Sequence, residues 1–297
     1  MQCHCRHRPV SKRTCQWLTA LGLAIGLGSW SATAQAQSSA ADCPQAETLL
    51  QKAYPGAKPD TAHTGQASYL LGKQRLMLPG QGGNDAPVMF CKVWPAHDNL
   101  LLVAVPRMDA ASRLDIDRVG DLDILVVDRN KLTVQQRLTV PDAMSDDAVR
   151  LASMRFDTAR YVVAPGVQAF GLRASYHGSS QPNPFNQITL RLFVLGDDGS
   201  GPLRMVLDGF SASNMHGDWD TDCKGKFSTY KTVLAMTSQA HHGFFDIRVT
   251  KNAEDSKADY VKNGSDCDET IVKREKTQHT LVYDGKQYVV PDALKDM

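Results

Sequence analysis

Residues 187–195 read Gln-Ile-Thr-Leu-Arg-Leu-Phe-Val-Leu, and Ile188, Leu190, Leu192 and Val194 fall at every second position. Period two is the signature of a strand, whose successive side chains point to opposite faces. One face of this strand is therefore predicted to be buried. The same kind of segment recurs along the chain. Apolar runs at 88–94 and 100–105 are broken by Pro95 and Pro106. Runs at 123–127 and 132–140 flank Asp128-Arg129-Asn130-Lys131, a hairpin-turn composition. Further runs lie at 151–156, 161–163, 167–176, 203–210, 227–236, 244–250 and 270–282. Residues 197–201 (Asp-Asp-Gly-Ser-Gly) read as a turn, and so does Asp284-Gly285 between 281–283 and 288–290. About a dozen strands with short connections leave no room for the crossover helices that a parallel sheet needs. The predicted class is all-β and antiparallel, either a sandwich or a small propeller-like array. Residues 273–279 are mostly polar, which places that strand at an edge or facing solvent.

One segment reads as helix. Ala46, Leu49, Leu50 and Ala53 recur at helical spacing, with Pro44 near the first turn, Asp42 as the expected cap and Pro55-Gly56 as the stop. Residues 80–85, Gly-Gln-Gly-Gly-Asn-Asp, read as an exposed loop.

The N-terminus reads as an address. Arg6, Arg8, Lys12 and Arg13 precede an apolar stretch over 17–30. Small residues spaced for a signal peptidase follow at 31–36. That is the pattern of a secretory signal peptide over residues 1–36, with cleavage after Ala36 or after Ala34. The apolar run of about 14 residues is short of the roughly 20 that span a bilayer. No second run of membrane length follows, so no membrane span is expected after cleavage. Ala41-Asp42 before Cys43 does not suit lipidation. Residues 37–297 are expected to form a single all-β domain, with two subdomains meeting near 141–150 as the alternative. The predicted location is periplasmic or secreted.

Removing residues 1–36 leaves 29 basic against 32 acidic residues, a net charge of −3. Such a surface has no pull on nucleic acid or anionic lipid. It also leaves four cysteines, Cys43, Cys91, Cys223 and Cys267, an even set in an oxidising compartment. The expected pairing is Cys43–Cys91 and Cys223–Cys267, each within one half of the chain. No C-x-x-C pair points to zinc.

Gly120-x-x-Asp123-Ile124-x-Val126 and Gly243-x-x-Asp246-Ile247-x-Val249 share one form. A glycine turn, an aspartate at the strand start and an alternating apolar face account for both. With the spaced Asp115 and Asp117 before it, the first resembles a degenerate fragment of the FG-GAP repeat. That family forms propeller blades with calcium in an Asp-rich loop. At the second site the acidic segment lies about 20 residues away, which the repeat does not allow, so the family's metal function is not carried over. The C-terminal pattern, through Tyr283-Asp284-Gly285-Lys286-x-Tyr288, is similar to the closing hairpin of many uncharacterised exported proteins of Gram-negative bacteria. That resemblance implies location more than activity.

The sharpest cluster is His216-Gly217-Asp218-Trp219-Asp220-Thr221-Asp222. Aspartates at alternate positions begin a calcium loop, so Asp218, Asp220 and Asp222 are the candidate Ca2+ ligands. Cys223 stands where the loop needs Gly, and Thr229 where it needs a bidentate Glu. The other reading is a solvated acidic turn pinned by a Cys223 disulfide. Asp115, Asp117, Asp121 and Asp123 form a second acidic group. His241-His242 read as turn residues before Gly243. His177-Gly178-Ser179-Ser180 offers a base and hydroxyls without a G-x-S-x-G elbow. Asn263-Gly264-Ser265 matches a glycosylation sequon but is equally a turn.

These observations favour a non-enzymatic binding or envelope-accessory protein. It would present loops, residues 216–222 and 178–185 above all, to a protein or glycan partner in the envelope. The alternatives are a metal-assisted hydrolase using His216, Asp218, Asp220 and Asp222, and an inhibitor of an envelope-attacking hydrolase.

Overall fold

Every predicted run of alternating residues from residue 88 onward contributes to a strand, and the strands pair only with antiparallel neighbours. The computed structural model describes residues 43–62, 67–79, 87–111, 118–145, 147–196, 201–262, 264 and 266–296. The signal peptide, Asp42, the 80–85 loop, Asp115, Asp117, the 197–200 turn, Asn263 and Ser265 lie outside the described residues. Of the described residues 69 % are strand and 5 % helix, which leaves no crossover helices among them to build a parallel sheet.

The first sheet comprises β1 (Lys58–Pro59), β2 (Ser68–Leu71), β3 (Gln74–Met77), β4 (Phe90–Trp94), β5 (His97–Asp109), β6 (Val119–Asp128) and β7 (Thr133–Ser145). Its order is β1-β2-β3-β5-β6-β7, and β4 also pairs with β5. The second sheet is a meander of β8 (Val149–Ala164), β9 (Val167–Gly178), β10 (Phe185–Leu195), β11 (Leu203–Trp219), β12 (Gly225–His241), β13 (Phe244–Tyr260) and β14 (Cys267–Leu281). The chain changes sheet between β7 and β8, inside the 141–150 window named above. The described residues all belong to one compact unit.

The sheets face each other across a shared core. Trp94, Leu102, Leu122, Ile124 and Val126 from the first meet Phe156, Phe170, Leu172 and Phe193 from the second. This is sandwich packing. The propeller-like alternative is corrected: two seven-stranded sheets form, not radially repeated four-stranded blades. On its other side the first sheet packs Leu101, Val103, Val105, Leu125 and Val127 under a single helix, α1 (Ala46–Ala53). Leu49 and Leu50 of α1 are fully buried there. The residue at the helix start is Gln45, in a left-handed conformation with no side-chain cap. The disulfide Cys43–Cys91 ties the helix approach to β4 (Cα–Cα 4.9 Å). Among the described residues no helix is long and apolar enough to cross a membrane.

The second sheet has its own core, with Leu190, Leu192, Val194, Phe210, Ile247, Val249 and the C-terminal Tyr283, Tyr288 and Leu294. β11 meets β12 only over Ser213–Trp219. Below that, the C-terminal segment takes over the same strand: the Tyr288 amide donates to the Val206 carbonyl (2.7 Å), and the Asp296 amide to that of Gly209 (3.0 Å). Gly209 is at φ +66°, a strand glycine that kinks β11 at a bulge.

The far ends of β11–β14 form a ribbon with little apolar burial. Phe227 lies over Gly217 and Gly225, since a Cβ on either would come within 3.0 Å of its ring. The disulfide Cys223–Cys267 joins the β11–β12 turn to the start of β14 (Cα–Cα 5.5 Å). β14 is the edge strand, exposed along most of its length, as the polar run at 273–279 predicts. A bulge opposite Asp255 and Ser256, together with Lys273, blunts it against further pairing.

Candidate functional site

The Asp-rich segment is not one loop. His216, Gly217, Asp218 and Trp219 belong to β11 and pair with β12, so only residues 220–224 turn. The strand is set by pairing to Lys226, Phe227 and Ser228, which an acidic local sequence does not reveal. His216, Asp220 and Asp222 each have a different partner. His216 Nδ1 lies 3.0 Å from Asn214 Oδ1. Asp220 Oδ1 accepts the Asp222 and Lys224 amides, both at 2.9 Å, a turn closed on itself. The Asp222 carboxylate accepts the Tyr260 hydroxyl, which holds that phenol above its usual range. Among the described residues no group of three or more His, Cys, Asp or Glu side chains is placed to hold a metal ion.

The two G-x-x-D-I-x-V segments have different structures. Gly120 is not a turn residue: it lies inside β6, and a Cβ there would sit 2.3 Å from the Arg107 carbonyl oxygen. Gly243 does turn, at φ +87°. The aspartates do not open their strands: Asp123 lies inside β6 and Asp246 inside β13, and both are buried. Asp246 holds His241 (2.8 Å) across the β12–β13 hairpin, and His242 takes the turn at φ 48°. Asp121 accepts the Asp142 amide at 3.1 Å. In the 178–185 loop, Ser179 Oγ donates to the Ala148 carbonyl (3.2 Å) and Ser180 Oγ accepts the Asn183 amide (3.2 Å).

Asp123 is the hub of a buried charge cluster beside α1. It accepts Arg107 (2.9 Å), Arg137 (2.7 Å), the Thr139 hydroxyl (2.7 Å) and the Tyr54 hydroxyl (2.6 Å). Burial alone would raise its pKa; the bonds from Tyr54, Thr139 and Arg107 more than reverse that and hold it low. Arg137 also lies over the Tyr54 ring, 4.4 Å from the centroid, and donates to the Ala53 carbonyl (2.7 Å). The cluster therefore locks the end of α1 onto the sheet. A second knot, Asp157 with Arg173 (2.7 Å) and Tyr161 (2.8 Å), braces β8 against β9.

Where the apolar core between the sheets ends, a polar cleft of about 400 Å3 opens. β10 supplies its floor with Gln187, Thr189 and Arg191. The β7–β8 junction supplies an exposed rim with Asp142, Ser145 and Asp147. Tyr176 of β9 and Asp296 of the C-terminal segment complete the walls. Gln187 and Thr189 are 5 % and 4 % exposed. Gln187 donates its amide to Ser211 Oγ (3.1 Å), which also takes the Tyr230 hydroxyl (2.8 Å). Thr189 Oγ1 is buried and has no hydrogen-bond partner among the described residues. Arg191 is held by Asp208 (2.7 Å). Burial opposes its charge, and Asp208 and the Tyr176 hydroxyl outweigh that, raising its pKa. Burial raises Asp296, Arg191 lowers it and Asp208 raises it further, with a net shift upward.

Sequence reading missed this cleft. Gln187, Thr189 and Arg191 alternate with Ile188, Leu190 and Leu192, and polar residues opposite an apolar face read as a solvent face. Their burial comes from the β7–β8 junction and a C-terminal segment remote in sequence. The strand glycine Gly209 is the one local signal that another backbone approaches here. No protein-family model matches the chain, and neither curated proteins nor solved structures give a match.

Proposed function

We propose that this chain is an exported, non-enzymatic binding protein, periplasmic or secreted, and that the cleft beside β10 takes its ligand. The observation that carries this reading is Thr189, a cleft-lining residue whose buried hydroxyl has no hydrogen-bond partner among the described residues. Leaving such a group unpaired costs about 1–3 kcal/mol, a cost that a ligand atom removes once a turn about χ1 brings the hydroxyl to the cleft surface. The remaining floor is already ordered by Ser211 and Asp208, as a preformed site requires. Export is supported by the basic, apolar and small-residue order of residues 1–36 and by four cysteines joined as two disulfides. A small polar molecule, or one side chain of an envelope protein or glycan partner, suits the volume.

A thermal-shift screen of cationic, anionic and neutral polar compounds tests the reading, run in parallel on Ser145→Trp, which narrows the mouth. A ligand at 100 times its Kd adds about 2.7 kcal/mol, or roughly 5–11 °C in Tm for a chain of this size. Shifts seen in the native protein and lost in Ser145→Trp support the cleft. No shift by any compound, or equal shifts in both proteins, overturns it.

A further inference from the structure

Resting on the cleft being a binding site, we infer that its ligand is an organic cation: an ammonium or guanidinium group on an alkyl stem, presented as a free polyamine or as a basic side chain of a peptide. The walls are rich in acceptors. Asp142 and Asp147 stand at the rim and Asp296 on the wall, all three carboxylates. On the floor, the Thr189 hydroxyl has no hydrogen-bond partner among the described residues and can accept as well as donate, and Gln187, which spends one of its two amide N–H groups on Ser211, keeps an amide oxygen. Arg191 is the only cation among the described lining residues, and Asp208 already neutralises it at 2.7 Å. An anion would therefore meet three carboxylates and a guanidinium already engaged.

A bare metal ion fits poorly for a geometric reason: no three acidic, His or Cys side chains among the described residues converge on one point. Carboxylates set around a cleft suit a ligand whose donors are spread out. The stem also has a place, because Tyr176, Val149 and Ala143 line the cleft between the polar groups. Alkyl chains with charged heads bury the stem on such surfaces, and an aromatic ring favours a nearby cation. The upward shift of Asp296 agrees, since a carboxylate pressed by burial and by Asp208 gains from an arriving positive charge.

Isothermal titration calorimetry on the disulfide-bonded exported protein tests this with four probes: spermidine, an end-blocked Gly-Lys-Gly peptide, succinate and N-acetylglucosamine. One or both cationic probes should bind at one site. Asp147→Asn and Asp296→Asn should each weaken that binding by roughly 3- to 10-fold, and the loss should shrink as salt is raised. Binding of spermidine alone assigns a free polyamine; binding of the peptide alone assigns a basic side chain. Asp147 is exposed, so its substitution leaves the fold intact and keeps the test valid should Asp296→Asn unfold. Cation binding that neither substitution alters overturns the inference. Binding of succinate or N-acetylglucosamine instead, abolished by Ser145→Trp, overturns the cation but retains the cleft as a site. Silence from all four probes also overturns the cation, while the broader screen above decides on the cleft itself.

Discussion

Replacing Asp123 by Ala removes the acceptor shared by four groups at once. Asp123 is fully buried, whereas the Arg107 and Arg137 side chains are 22 % and 33 % exposed. Breaking a buried ion pair costs about 3–5 kcal/mol, most of it from the charge left behind. Here the two guanidiniums can turn toward water, which favours the low end. Tyr54, only 4 % exposed, has no such outlet for its hydroxyl, and a stranded buried hydroxyl costs about 1 kcal/mol or more. The expected loss is about 3 kcal/mol, or roughly 6–12 °C in Tm. Urea unfolding with disulfides intact measures it, the slope m reporting whether the change is one of stability alone. The pH dependence has a defined sign. Asp123 is depressed in the folded state. Its contribution is therefore present above the unfolded carboxylate range, about 3.9, and lost as pH falls through the folded value. The gap between the native protein and Asp123→Asn should be widest near neutral pH and close in acid. A loss under about 1 kcal/mol for Asp123→Ala, or a gap independent of pH, would refute the reasoning, because it would mean the cluster carries no net interaction.

Three further outcomes follow from the same geometry. Cys223→Ser with Cys267→Ser opens a loop closed across 44 residues, worth about 4 kcal/mol in the chain-entropy model; hydrogen exchange should accelerate first in the exposed ends of β12–β14 and leave α1 unaffected. Gly217→Val should cost about 1–3 kcal/mol in urea unfolding, because a Cβ would lie 2.4 Å from the Phe227 ring. Gly120→Ala should cost more than Gly243→Ala: the first drives a Cβ to 2.3 Å from a backbone oxygen, while the second meets nothing within 4 Å and bears only the left-handed backbone, about 1 kcal/mol; equal losses in thermal melts would contradict that difference.

The fold was legible where packing repeats locally. Ala46, Leu49, Leu50 and Ala53 specify α1, and the alternation of Ile188, Leu190, Leu192 and Val194 specifies β10. Cysteine pairing within each half of the chain also agrees with the structure. Strand length was not legible in the ribbon. β11 runs on to Trp219, nine residues past the apolar run at 203–210, and β12 (Gly225–His241) exceeds the run at 227–236 at both ends. Backbone pairing extends them through polar residues that show no periodic signal. The acidic residues at 218–222 attracted notice for their spacing, yet β11 pairing sends Asp218 and Asp220 to different tasks. Thr189 attracted none, because a polar residue in an alternating strand is read as solvated until the segment that covers it is known.

The central claim is that a ligand occupies the cleft that Thr189 lines. Amide chemical-shift mapping of the isotope-labelled protein during a spermidine titration tests it directly. Saturable shifts at Tyr176, Gln187, Thr189 and Arg191, with β14 and α1 silent, are the predicted result. Shifts scattered over the far ends of β11–β14, or none on β10, would contradict it.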